Sequence, residues 1–124
     1  MFARVSTYEG PPDRMQEGIS HARERILPAV RNIAGFSGVL LFLADRETGK
    51  ALSITLWESE QAMRDSEEEA SRLRSESAEA GGETIAGVER YEVPIFEVSL
   101  TGAGEERGFM DRLTGRQRTL SGET

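Results

Sequence analysis

The chain has 124 residues, 37% of them hydrophobic, which fits a single domain with a modest core. A formal charge of -7 and a pI near 4.8 argue against a partner held mainly by phosphate contacts, so neither nucleic acid nor an anionic membrane surface is expected. With no cysteine and a single histidine, the chain lacks a disulfide framework, a thiolate nucleophile and a thiolate or His-rich metal site. No apolar run approaches the roughly 20 residues that span a bilayer, and Met1 leads straight into strand-like sequence, so a cytoplasmic protein is expected.

Residues 2–8 alternate, with Phe2, Arg4, Ser6 and Tyr8 on one side and Ala3, Val5 and Thr7 on the other, the pattern of a first strand. Gly10-Pro11-Pro12 ends it. Met15, Ile19, Ala22, Ile26, Val30 and Ile33 then fall on one helical face, with Pro28 expected to kink the helix and Gly35 to close it. From Phe36 to Ala44 the apolar run Val39–Leu43 does not alternate, which predicts a strand covered on both faces. Asp45–Lys50 reads as a hairpin loop in which Gly49 supplies a positive φ. Residues 51–57 return as a third strand, with Leu52, Ile54 and Leu56 on one face and Trp57 on the other.

Ser59 is placed to cap a second helix running to about Ala80, and Gly81-Gly82 ends it. Its inner face, Ala62, Met63, Ser66, Ala70, Leu73 and Ser77, consists mostly of small side chains, while Glu60, Arg64, Glu68 and Arg72 form i, i+4 pairs on a solvated face. A final extended segment covers 88–98, interrupted at Pro94. The order βαββαβ predicts an α+β, ferredoxin-like fold with an antiparallel sheet over residues 1–98. Residues 99–124 change in character, with five glycines and four arginines, and read as a C-terminal tail in which 105–114 can form a short helix.

Three stretches, ARVSTYEGP at 3–11, LPAVRNIAGFSGVLLFLADRETGK at 27–50 and SITLWESEQAM at 53–63, together resemble the antibiotic biosynthesis monooxygenase (ABM) superfamily. The likeness covers residues 1–98, and its most specific parts are the Gly-Phe-x-Gly preceding the second strand and the Trp-x-Ser junction with a following Ala. It is shared with small uncharacterised members as well as with enzymes. The resemblance implies a dimeric α/β barrel: two subunits pack their sheets face to face, with helices outside and a pocket between helices and sheet. The non-alternating Val39–Leu43 run independently calls for cover on both faces, which a symmetric homodimer provides.

The family's cofactor-independent oxygenases and haem degraders use an asparagine on the first strand. This chain's one asparagine is Asn32, near the end of the first helix. Where haem degraders carry a tryptophan and a ligating histidine on the second helix, this chain has Ser66 and Glu76, so no haem and no other cofactor is expected. His21 lies away from the apolar face of its helix and is expected to face solvent. Arg4, a cation within a covered strand, must find a carboxylate or remain near water; it is either half of a structural ion pair or a contact for an anionic substrate. Tyr8 and Tyr91 could each donate a hydrogen bond to a ligand carbonyl or simply serve as amphipathic strand residues.

The carboxylates of DSEEEA at 65–70 point around their helix and do not converge, so no metal site is assigned. The candidate pocket residues are Trp57, Met63, Ser66, Tyr91 and Arg4, and no catalytic residue is assigned. Two functions stay open. One is a cofactor-independent monooxygenase or related enzyme acting on a small aromatic or polyketide-like substrate; the other is a non-catalytic module for small-ligand binding or dimeric interaction.

Overall fold

A computed structural model describes residues 1–99; the tail reading, with its helix at 105–114, lies beyond Ser99 and outside the described residues. The compact unit Met1–Val93 carries the strands and α-helices of the described residues: β1 (Phe2–Glu9), α1 (Met15–His21), α2 (Leu27–Arg31), β2 (Phe36–Ala44), β3 (Lys50–Trp57), α3 (Glu60–Asp65), α4 (Glu67–Gly81) and β4 (Thr84–Glu92). The four strands form one antiparallel sheet in the order β2-β3-β1-β4, the ferredoxin-like arrangement. No helix among the described residues is long and apolar enough to cross a membrane.

Register divides the side chains between two faces. β1 pairs with β3 from Phe2↔Trp57 to Glu9↔Lys50, so Arg4, Ser6 and Tyr8 share a face with Thr55, Ser53 and Ala51. The helices cover this face. The other face carries Val5, Leu52 and Ile54, continued by Leu41 and Leu43 of β2, which are 41% and 48% exposed.

The first helix runs through its proline by a change of helix type. A π-helical turn, Ala22–Ile26, joins α1 to α2 immediately before Pro28, and Leu27 N–H donates to Ala22 O across this wider turn. Proline would clash with the carbonyl four residues earlier, and the π turn places that strain between two α segments. The second helix is not continuous as its pattern predicts. It breaks at Ser66, where Ser66 Oγ donates to Met63 O at 2.7 Å and Arg4 Nη2 donates to the same carbonyl at 2.7 Å.

The last strand is Thr84–Glu92, four residues earlier at its start than the 88–98 segment expected from sequence. The partner of Thr7 is Gly87 and that of Tyr8 is Ile85, so Ala86 is the extra residue of a bulge, which hides the alternation. Pairing ends where β1 runs out: Val93 N–H donates to Met1 O at 2.9 Å, and Pro94 has no N–H to extend the ladder.

The core between sheet and helices has two parts. Tyr8, Met15, Ala51 and Ala78 form one, with Ile19 and Phe42 packed against them. Ile26, Val30 and Leu73 form the other, flanked by Ile33 and Phe36.

Candidate functional site

A cavity lies between the helix-facing side of the sheet and the helices, walled by Tyr8 and Phe42 of the first core cluster and by Ile26, Val30 and Leu73 of the second. Its empty space, open mouth included, is about 560 Å³. The room comes from α4, whose inward positions Ala70 and Ser77 are small, as the stripe of small residues in the sequence foreshadows.

Trp57 lines the cavity and is 1% exposed. Phe36 meets its ring edge-on, with centroids 5.7 Å apart, and its indole Nε1 donates to Thr55 Oγ1 at 2.9 Å. The Arg4 guanidinium carbon sits over the same indole, 5.2 Å from the ring centroid, in cation–π range. The tryptophan therefore anchors packing and forms a wall of the cavity at the same time.

Arg4 is 3% exposed, and its Nη2 reaches Met63 O at 2.7 Å, Ser66 Oγ at 2.9 Å and Glu67 Oε2 at 2.8 Å. Glu67 in turn accepts from Arg90 Nε and Nη2 at 2.7 Å each. These hydrogen bonds, Arg90 contributing most and burial opposing, hold the Glu67 carboxyl at about 2. Arg4 Nε is buried with no acceptor.

Of the five residues singled out from sequence, Arg4 and Trp57 line the cavity. Met63 and Ser66 lie beside it as buried supports that fix the Arg4 head group. Tyr91 lies elsewhere: it pairs with Ala3, on the sheet face away from the helices, and is 50% exposed. Strand alternation accounts for this, since Tyr91 is one residue out of phase with Arg90, the partner of Arg4.

His21 is also placed differently from the sequence reading. Its Nε2 lies 3.0 Å from Glu76 Oε2 on α4, and Arg25 approaches the same carboxylate at 3.5 Å. The packing of α1 on α4 turns a residue off the apolar stripe toward the neighbouring helix instead of toward water.

The structure adds Ser6, Ser53, Thr55 and Arg74 to the polar lining and places there Tyr8, one of the two tyrosines weighed from sequence as hydrogen-bond donors. Burial raises the Tyr8 pKa against the pull of Ser53, Arg74 and Ser6, so the phenol stays protonated near neutral pH and can donate a hydrogen bond. Among the described residues no carboxylate and no imidazole lines the cavity, so its walls offer donors but no strong base. Arg74 escapes a sequence reading because α4 is rich in arginine and glutamate. The signal is its spacing, four residues after Ala70 and three before Ser77, on the inward stripe.

The family model for antibiotic biosynthesis monooxygenase, ABM, matches residues 1–75, from β1 into α4. The chain belongs to the ABM family. An uncharacterised protein of Mycobacterium tuberculosis, Rv2557, is 34% identical over 93 residues, or 75% of this chain, and the chain spans only 41% of that relative's length. ABM-type solved structures share the fold. The monooxygenase ActVA-Orf6 of Streptomyces coelicolor, solved with Nanaomycin D, superposes with a TM-score of 0.58 at 19% identity, covering 81% of this chain and 92% of its own. A dimeric ferredoxin-like protein from an uncultured marine organism gives 0.52 at 11% identity, covering 79% and 93%.

The two motifs that carry the ABM resemblance meet in space. Gly35, with φ 85°, approaches Ala62 so closely that a Cβ would collide with the Ala62 methyl, and its carbonyl accepts from Glu58 N–H at 2.9 Å. Ser59 caps α3 by accepting from Ala62 N–H at 3.0 Å. The Gly-Phe-x-Gly and Trp-x-Ser-x-x-Ala segments are two sides of one joint that holds Trp57 at the cavity wall.

Proposed function

We propose that this ABM-family chain holds a small, flat, oxygen-bearing aromatic molecule in the cavity between sheet and helices. The observation that carries this reading is the cavity itself, an apolar slot that separates the two core clusters, with Trp57 as one wall and convergent hydrogen-bond donors. Trp57, the chain's only tryptophan, is the natural reporter. Methyl 2-naphthoate, a neutral probe, should quench its emission saturably, and Ala70→Leu, which fills the slot, should weaken that binding about tenfold or more through lost volume. A probe that leaves the emission unchanged, or that binds Ala70→Leu equally well, refutes the reading.

A second reading, cofactor-independent oxygenation, is favoured by the fold shared with a monooxygenase solved in complex with Nanaomycin D. In such a reaction a substrate CH₂ becomes C=O, one oxygen atom of O₂ entering the product and the other leaving as water, so no external reductant is required. The protonated Tyr8 hydroxyl would hydrogen-bond the substrate oxygen, and the substrate's own acidity would stand in for the absent base. Oxygen uptake with anthrone above the rate of heat-inactivated protein, lost in Tyr8→Phe, supports this reading; an equal rate in both rejects it.

The exposed Leu41 and Leu43 face, with Val5, Leu52 and Ile54, is the surface on which a second subunit would complete a barrel. The existence of a dimeric structure with this fold supports that assembly.

A further inference from the structure

Arg74 lines the cavity from α4, half-buried, and no carboxylate among the described residues pairs with it. It shares the cavity lining with Arg4 and the Tyr8 phenol, and Glu67 and Arg90 are near enough to act on it electrostatically. The only anion in this group, Glu67, is already taken up by Arg4 and Arg90, with contacts of 2.7–2.8 Å. The cavity lining thus carries two guanidiniums, Arg4 and Arg74, and no carboxylate among the described residues, in a chain whose formal net charge is -7. A guanidinium does not shed its proton to relieve such an excess, and burial makes an unpaired one costly. Arg4 adds a buried Nε that has no acceptor.

We infer that Arg74 is the anchor for the carboxylate of an aromatic acid, with the Tyr8 hydroxyl as a second donor to that group and the apolar wall holding the ring. This rests on the cavity being a small-molecule site, and it names the ligand class that the site selects. A carboxylate fits because the planar guanidinium fork can engage both of its oxygens. The ring then lies in the direction of Trp57 and Phe42, which line the same space.

The test compares 2-naphthoate with its methyl ester by calorimetry on the full chain. The wild type should bind the acid about tenfold or more tightly than the ester, the advantage expected of a charge-assisted contact. In Arg74→Gln the acid should bind no more tightly than the ester binds to the same variant, and Arg74→Lys should retain part of the preference. Circular dichroism identical to wild type confirms that each variant is folded; if Arg74→Gln unfolds, the comparison of Arg74→Lys with wild type decides by the same criterion. Ester binding without acid preference, or a preference that survives Arg74→Gln, overturns the anchor while the cavity reading stands. Failure of both probes to bind overturns the cavity reading and the anchor with it.

Discussion

Glu67 is the residue on which the polar side of the cavity depends. It pairs with Arg4, 3% exposed, and with Arg90, while its own side chain is 32% exposed. Glu67→Ala should destabilise the fold by about 2–3 kcal/mol, less than a fully buried pair because water reaches the carboxylate, since a buried guanidinium is left without its partner. Urea unfolding of the two proteins measures this difference. The same pair gives a pH signature. Glu67 is held at about 2, below its ordinary 4.5, so its contribution is fully present above the ordinary value and is lost as pH falls through about 2. The stability gap between wild type and Glu67→Gln should therefore narrow across that interval; a gap constant with pH would mean that the ion pair contributes nothing. Sequence alone required that Arg4 find a carboxylate or water. It did not say which of the many acidic residues on the second helix would serve, because that choice depends on where the helix crosses β1.

At the scale of elements, the joint between β2 and α3 follows from a close approach that only glycine permits. Gly35→Ala would force a side chain into a backbone at φ 85° and against the Ala62 methyl. A loss of about 2–4 kcal/mol is expected, read from the thermal or urea midpoint, because neither the strand start nor the capped helix can retreat without moving Trp57. Trp57 emission should shift to the red in this variant if the joint opens, and an unshifted spectrum with unchanged stability would show that the contact is slack. The Ser66 break is a second lesson at this scale. Helical periodicity registers a serine in an inward position, yet cannot register that an arginine from β1 will compete for the Met63 carbonyl. The bulge at Ala86 is similar, since one extra residue shifts the alternation that would reveal the start of β4.

At the scale of the molecule, the two sheet faces carry different burdens. One is covered by the protein's own helices and encloses the cavity; the other presents Leu41 and Leu43 at 41% and 48% exposure. A homodimer across that face should give a solution mass twice 13.7 kDa by light scattering. Leu41→Asp should shift the mass to that of the monomer, since a carboxylate would be buried without a partner in the interface. A wild-type monomer, or a dimer indifferent to Leu41→Asp, would place the interface elsewhere.

The sequence by itself determined the order βαββαβ, the family, the two faces of β1 and β3, and the cap at Ser59, because each is written in residues close together in the chain: period-two alternation, a glycine, a serine before a helix. It also marked the second helix as having small inward residues, and so foreshadowed room beneath it. Only the tertiary structure decided that Tyr91 faces away from the cavity, that His21 meets Glu76, that Arg4 takes Glu67, and that Arg74 lines the cavity with Tyr8 and has no carboxylate partner among the described residues. Tyr91's direction follows from the register of β4 on β1, and the charge pairs follow from the crossing of helix over sheet or helix, which brings together charges more than 50 residues apart in the chain, such as the 63 that separate Arg4 from Glu67. Local patterns specify which face a side chain takes; the packing of faces specifies which charge it meets there.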